Sequence, residues 1–297
     1  MRVSLAGALV ATHLCACGWF GPTDGSLSRD TSEPGAAAAP PPGDWIDAPR
    51  WRLLPPDLVA EAGVVIDRTT GLEWQRVHSG RYAVEQLDAA CKDLVIDGKT
   101  GFRLPTRSEL LSIVDLDVVD REAPALPKLL SEQVTSDGFF WTATPAVGLG
   151  GGRWIIGTHD GVAARGAEGM WLVRCVRGEP PANGPRFAID GDFVRDLHTA
   201  LRWRRAVEED LHAVVDASAR CAARGERLPS VYELQSIVDA RRRSPAIDPV
   251  FGETPRETFW SASDNAKYAH YGWAVSFETG ETVYANRESQ FRVRCVQ

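Results

Sequence analysis

A chain of 297 residues is longer than one ordinary domain, and 44% hydrophobic residues supply enough apolar material for two cores, which excludes a disordered or fibrous protein. A formal net charge of −7, spread over the whole chain, excludes the global positive field of a nucleic-acid binder. Beyond the N-terminus no apolar run is long enough to cross a bilayer.

The opening stretch, MRVSLAGALVATHLCACGWF, is expected to be a secretion signal, because Arg2 precedes an uncharged segment from Val3 to Leu14 that is too short for a membrane span. Leu14, Cys15, Ala16 and Cys17 resemble a bacterial lipobox, with cleavage before Cys17 and lipid on that cysteine; Cys15 departs from the usual small residue, and an ordinary signal cleaved nearby is the alternative. Residues 1–16 therefore read as signal peptide. Residues 17–48, rich in Pro, Gly, Ser and Ala, read as a disordered tether. The expected location is extracytoplasmic, in the cell envelope, with the lipid in a bacterial outer membrane.

The rest of the chain repeats itself. VIDRTTGLEWQR (65–76) returns as VRDLHTALRWRR (194–205), RLPTRSELLSIVD (103–115) as RLPSVYELQSIVD (227–239), FFWTAT (139–144) as TFWSAS (258–263), and LVRCVR (172–177) as RVRCVQ (292–297). Blocks recurring in one order indicate duplication, with a first domain at 49–180 and a second at 184–297.

Within each copy, 64–66 and 72–75 (and their counterparts) read as short strands around a turn built on Asp67, Thr69, Thr70 and Gly71. Residues 82–95 are expected to be helical, with Ala83, Leu87, Ala90, Cys91 and Leu94 on one face; Leu211, Val214, Val215 and Cys221 are their counterparts. A second helix follows Pro105 and Pro229. Thr106 with Glu109, and Ser230 with Glu233, have capping-box spacing, and Leu110, Ile113 and Val114 (Leu234, Ile237 and Val238) form the buried face. Arg103 and Arg227 remain; they either orient a carboxylate inside the fold or meet a ligand, and the structural role is the expectation. The tryptophan blocks, with Trp154 and Trp273, read as strands, Asp160-Gly161 and Thr279-Gly280 as hairpin turns, and the glycine-rich 147–154 as a hairpin loop rather than a phosphate cradle. The expected class is α+β, each domain two helices plus a mainly antiparallel sheet.

Six cysteines are present. Setting aside Cys15 and Cys17 leaves Cys91, Cys175, Cys221 and Cys295, one pair at matching positions in each copy, which in an exported chain reads as a disulfide framework closing each domain on itself. Buried free thiols are the alternative; zinc fits less well, since no cysteines are closely spaced and no histidines have ligand spacing.

These blocks resemble the Lcl C-terminal domain family. The first copy matches its pattern at Asp67, Thr70, Gly71, Leu72, Trp74, Arg103, Leu104, Pro105, Thr106, Glu109, Leu110, Trp141, Arg174 and Cys175. The second matches at Asp196, Thr199, Leu201, Trp203, Arg227, Leu228, Pro229, Glu233, Leu234, Trp260, Arg294 and Cys295, with Ala200 and Ser230 replacing Gly and Thr. The resemblance implies two tandem C-type-lectin-like domains, related in fold to formylglycine-generating enzymes. The family's namesake is a surface adhesin whose domain binds sulfated glycosaminoglycans.

No Walker loop, G-x-S-x-G, H-E-x-x-H or EF-hand pattern is present, and no catalytic residue, metal site or cofactor is assigned. Asp115, Asp117, Asp120, Asp264 and Asn265 suggest calcium, but the C-type-lectin signatures are absent and solvated loop acids are the expectation. Arg241, Arg242 and Arg243 form a notable local basic patch, a candidate anion site or simply a helix end capping carbonyls; serine at all three is expected to weaken sulfated-glycan binding and leave stability nearly unchanged. The expected function is non-catalytic binding or adhesion, with an anionic glycan or an envelope protein as partner, contact with the membrane through the lipid and no nucleic acid. The alternatives are an oxidase of formylglycine-generating type, which needs a reduced cysteine pair and a metal, and a structural subunit of an envelope complex.

Overall fold

The computed structural model describes residues 56–179 and 185–297, so the expected signal, Cys17 and the tether lie outside the described residues. The first repeat begins with β1 (Leu58–Glu61), β2 (Val64–Asp67) and β3 (Leu72–Gln75), an antiparallel meander. Its second turn is fixed as the sequence suggests: Asp67 accepts the Thr69 N–H (3.0 Å) and the Thr70 hydroxyl (2.7 Å), and Gly71 sits at φ 74°. After β4 (Arg81–Tyr82) comes α1 (Arg107–Leu111), then β5 (Phe139–Pro145), β6 (Arg153–Gly157), β7 (Ala163–Gly166), β8 (Trp171–Leu172) and β9 (Val176–Arg177). The sheet order is β4-β8-β5-β6-β7, antiparallel except for β5 with β8, while β9 closes the first meander against β3.

The second repeat retraces this path with β10 (Phe187–Asp190), β11 (Phe193–Asp196), β12 (Arg202–Arg204), α2 (Val214–Ala222), α3 (Val231–Ser236), β13 (Thr258–Asp264), β14 (Tyr271–Ser276) and β15 (Thr282–Asn286). Isolated bridges His212–Phe291, Phe259–Arg292 and Trp203–Val296 stand where the first repeat has full strand pairs. Ala200 takes the turn position of Gly71 at φ 62°, a left-handed conformation that costs an alanine about 1 kcal/mol relative to glycine.

Both repeats are mostly antiparallel sheet with few, short helices, which corrects the expected layout in two places. The stretch 82–95 is not an α-helix: a 3-10 turn at Val84–Gln86 continues as i→i+3 bonds from Ala90 to Leu87 and from Leu94 to Cys91. Apolar residues three and four apart serve either winding, so the pattern fixed the buried side (Leu87 and Cys91) and not the helix type. In the second repeat α2 does form, but its inward face is Val214, Ala217 and Cys221; Leu211, which precedes the helix, is exposed, and so is Val215, which lies about 100° around the helix from Val214.

Two cores fill each repeat. One packs α1 or α3 on the sheet, with Leu110, Ile113 and Trp154, or Leu234, Ile237 and Trp273. The other surrounds a disulfide, Cys91–Cys175 with Trp141 and Cys221–Cys295 with Trp260. The hairpin glycines Gly161 (φ 73°) and Gly280 (φ 80°) press on the helix ends, where an added Cβ would lie 2.3 Å from Val114 and 2.7 Å from Val238. The repeats also share a seam: the Tyr232 hydroxyl donates to the Val114 carbonyl (3.0 Å) and accepts the Leu116 N–H (3.2 Å), and Ala240 packs in the first repeat's core.

Candidate binding site

The repeated R-L-P stretch is scaffold. Arg103 grips Glu109 with two bonds of 2.8 and 2.6 Å while Glu109 also accepts the Thr106 N–H and the Thr106 hydroxyl accepts the Glu109 N–H. Arg227, Glu233 and Ser230 repeat the arrangement, and the hydrogen bonds that Arg227 donates to Glu233 raise the arginine's pKa above its ordinary value. The arginine orients the capping carboxylate, and both groups are committed to starting a helix.

The surface differs where the scaffold does not. Residues 146–152 link β5 to β6 and residues 265–270 link β13 to β14; the two loops share three backbone hydrogen bonds but differ in dihedrals, since Gly148 (φ 83°) and Gly151 (φ 75°) are left-handed where Lys267 and His270 are not. In the first, Ala146 N donates to Gly152 O, Leu149 N to Ala146 O and Gly152 N to Leu149 O; in the second, Asn265 N donates to Tyr271 O, Tyr268 N to Asn265 O and Tyr271 N to Tyr268 O. At matching positions, Gly148, Leu149, Gly151 and Gly152 correspond to Lys267, Tyr268, His270 and Tyr271. On the adjoining strand, Arg165 opposite Trp154 corresponds to Tyr284 opposite Trp273.

The second loop thereby gathers three tyrosines. Tyr268 stacks on Tyr284 (5.9 Å between centroids, 19° between planes), and Tyr271 meets both edge-on at 6.2 and 5.9 Å. The first repeat closes the cluster from the other side: Arg121 lies 5.0 Å over the Tyr268 ring, His159 Nε2 is 3.2 Å from the Tyr268 hydroxyl, and Lys267 Nζ donates to Ala123 O at 2.5 Å. Burial lowers the Lys267 pKa, opposed by Asp160, Asp120 and Glu122. Burial likewise raises that of Tyr284, with Asp160, Tyr268 and Tyr271 acting in the same sense, so its hydroxyl stays a hydrogen-bond donor at neutral pH.

At the reciprocal position, Arg243 Nη1 lies 3.4 Å from where a Cβ on Gly148 would stand. The three arginines of the sequence cluster are not equivalent. Arg241 and Arg242 both bind the buried Asp239, at 3.2 and 3.0 Å, whereas Arg243 is exposed. This changes the expected effect of substitution: serine at Arg241 and Arg242 together strips a buried carboxylate of both cations and should cost about 1–3 kcal/mol in urea unfolding, rather than leaving stability unchanged. Serine at Arg243 alone should leave the midpoint unaltered.

The acids suggested for calcium act locally. Asp115 accepts the Asp117 N–H, Asp120 the Glu122 N–H and Asn265 the N–H groups of Lys267 and Tyr268, while Asp264 pairs with Arg287. Among the described residues no three His, Cys, Asp or Glu side chains converge as a metal site.

A family model described as the Lcl C-terminal domain matches residues 63–177 and again 192–297. The chain belongs to the Lcl C-terminal domain family, in two tandem copies. A search of curated proteins finds no match. The positions that carry the family pattern build turns, caps, bridges and cores in both Lcl domains, and the candidate surface lies outside them. The tyrosine cluster escaped sequence reasoning, although a signal exists: three of the chain's five tyrosines fall within residues 268–284, at positions the first copy fills with Leu149, Gly152 and Arg165.

Proposed function

We propose that this protein is a non-catalytic, extracytoplasmic binding or adhesion module of the cell envelope, lipid-anchored through Cys17 to the outer membrane, with two lectin-like domains that take glycans as ligands. The observation that carries this reading is the pair of seam loops closed by the same backbone hydrogen bonds yet opposite in chemistry, glycine on the first with Arg165 on the adjoining strand, and tyrosine on the second. Loops that vary on a repeated scaffold are how a rigid fold presents recognition surfaces. The four cysteines of the domains are held as Cys91–Cys175 and Cys221–Cys295, which leaves neither domain the reduced pair that a formylglycine-type oxidase needs.

A glycan array probed with the purified full chain, with and without calcium, tests the reading. Binding to sulfated glycans is expected, falling several-fold between low salt and about 0.5 M because exposed charges are screened within a few ångströms, and reduced by Arg243→Ser. If no glycan of any class is retained, the glycan reading is wrong.

A further inference from the structure

We infer that the exposed rings of Tyr271 and Tyr284 in the second Lcl domain form a stacking site for an uncharged pyranose ring, a subsite separate from the arginine loop. The inference rests on the glycan-binding reading above and assigns it a place and a sugar class.

The fold does not require these rings. Gly152 and Arg165 occupy the same two positions in the first domain, on a loop with the same hydrogen bonds and a strand pair with the same register. Yet Tyr271 remains 39% and Tyr284 37% exposed, side by side, where isolated aromatic side chains gain more from burial.

The rings are also held in place. Tyr284 is held by the edge of Trp273 at 5.3 Å and by the faces and edges of Tyr268 and Tyr271, and the loop is pinned by Asn265. A ring already fixed loses little conformational freedom when a ligand stacks on it.

The rim around them is polar. A pyranose offers one face of C–H groups and an edge of hydroxyls. The Tyr271 and Tyr284 hydroxyls have no hydrogen-bond partner among the described residues, and Asn286, cross-strand from Tyr271, is exposed with its Oδ1 occupied by the Glu288 N–H, leaving its amide N–H groups to donate outward.

Charge selects the class. The nearby cations are engaged, Lys267 with Ala123 O and Arg121 with the Lys267 carbonyl and the Tyr268 ring, while Asp160, Asp120 and Glu122 add negative field. A sulfated or carboxylated sugar would meet repulsion here, and a neutral one would not.

The test is isothermal titration of the full chain, wild type and variants, with cellotetraose, maltotetraose, mannotetraose and chitotetraose. At least one is expected to bind with little dependence on salt, at least tenfold more weakly to Tyr271→Ala, a loss equivalent to about 1.4 kcal/mol. Tyr271→Phe, which keeps the ring, should stay within about threefold of wild type, and thermal unfolding of both variants should match wild type because the side chain is partly exposed. The inference is overturned if none of the four binds, or if Tyr271→Ala binds as wild type does. Retention of sulfated glycans in either case leaves the broader binding reading standing; loss of those as well would remove both.

Discussion

Methionine in place of Arg294 is expected to destabilise the protein by about 4 kcal/mol, as is the same change at Arg174, because each guanidinium is a clasp that no apolar side chain reproduces. Both arginines are fully buried. Arg174 donates to the carbonyls of Gln75 (2.6 Å), Arg76 (2.7 Å) and Leu130 (2.6 Å), tying the end of β3 to the 3-10 turn at Lys128–Leu130. Arg294 donates to the carbonyls of Arg204 (2.7 Å) and Arg205 (3.1 Å) and to the Thr254 hydroxyl (2.7 Å). Neither has a carboxylate partner among the described residues; the cation is held by backbone dipoles and by aromatic faces, Phe140 at 5.4 Å and Phe251 at 5.5 Å. Methionine fills much of the volume and leaves three acceptors buried without donors, each worth roughly 1–3 kcal/mol. Lysine keeps the charge but cannot span acceptors on separate segments, so it should rescue little.

Burial pushes each guanidinium down to about 9, which leaves it charged at neutral pH. The folded state binds this proton less tightly than the unfolded chain, so the resulting loss of stability is fully present below about pH 9 and is relieved only as pH rises above it. Urea midpoints measured from pH 5 to 8 should therefore show no pH dependence arising from the clasp, while the methionine variants fall at every pH. A loss under about 1 kcal/mol would mean that water satisfies the three acceptors.

These clasps illustrate which parts of the molecule could be read in advance. The V-R-C-V block marked Cys175 and Cys295, and the alternation of a strand put every second residue inside, but nothing local to Arg174 says that its acceptors lie 44 and about 100 residues away. The capping boxes were legible because their chemistry is complete within seven residues, from Arg103 to Glu109. Helix type at 82–95 was not, since the same apolar spacing satisfies 3-10 and α windings and the choice is made by what the turn packs against. The arginine cluster was visible as charge, while its neutralisation by Asp239 depends on a turn that brings Arg241 and Arg242 back over the helix end. The tyrosines are apparent only when the copies are laid against each other.

Removing the Cys221–Cys295 bridge by alanine at both positions is expected to cost about 4–5 kcal/mol, the chain-entropy value for a loop of this length. The cross-link spans 74 residues, most of the second domain, and its partner Cys91–Cys175 spans 84, so each limits the unfolded chain of one whole repeat. The bridge is also part of the packing: Cys221 and Cys295 are buried with Ala217, Leu228, Val293 and Trp260, so the substitution opens space there. The consequence should reach the first repeat. Tyr232 binds the Val114 carbonyl, Leu116 packs against the second domain's core, and Glu281 and Thr282 accept the outward N–H groups of Arg165 and Ala163 on β7. A weakened second domain thus withdraws partners that bury the end of α1 and the edge of β7. Scanning calorimetry of the double variant should show one transition lowered by roughly 10–15 °C, at the rate of about 2–4 °C per kcal/mol for a chain of this size. Two separated transitions, with the first domain melting at its original temperature, would show that the seam couples the repeats too weakly to act as one folding unit. Peptide mapping under non-reducing conditions should recover Cys91 with Cys175 and Cys221 with Cys295; a Cys91–Cys221 peptide would contradict both the bridges and the closure of each repeat on itself.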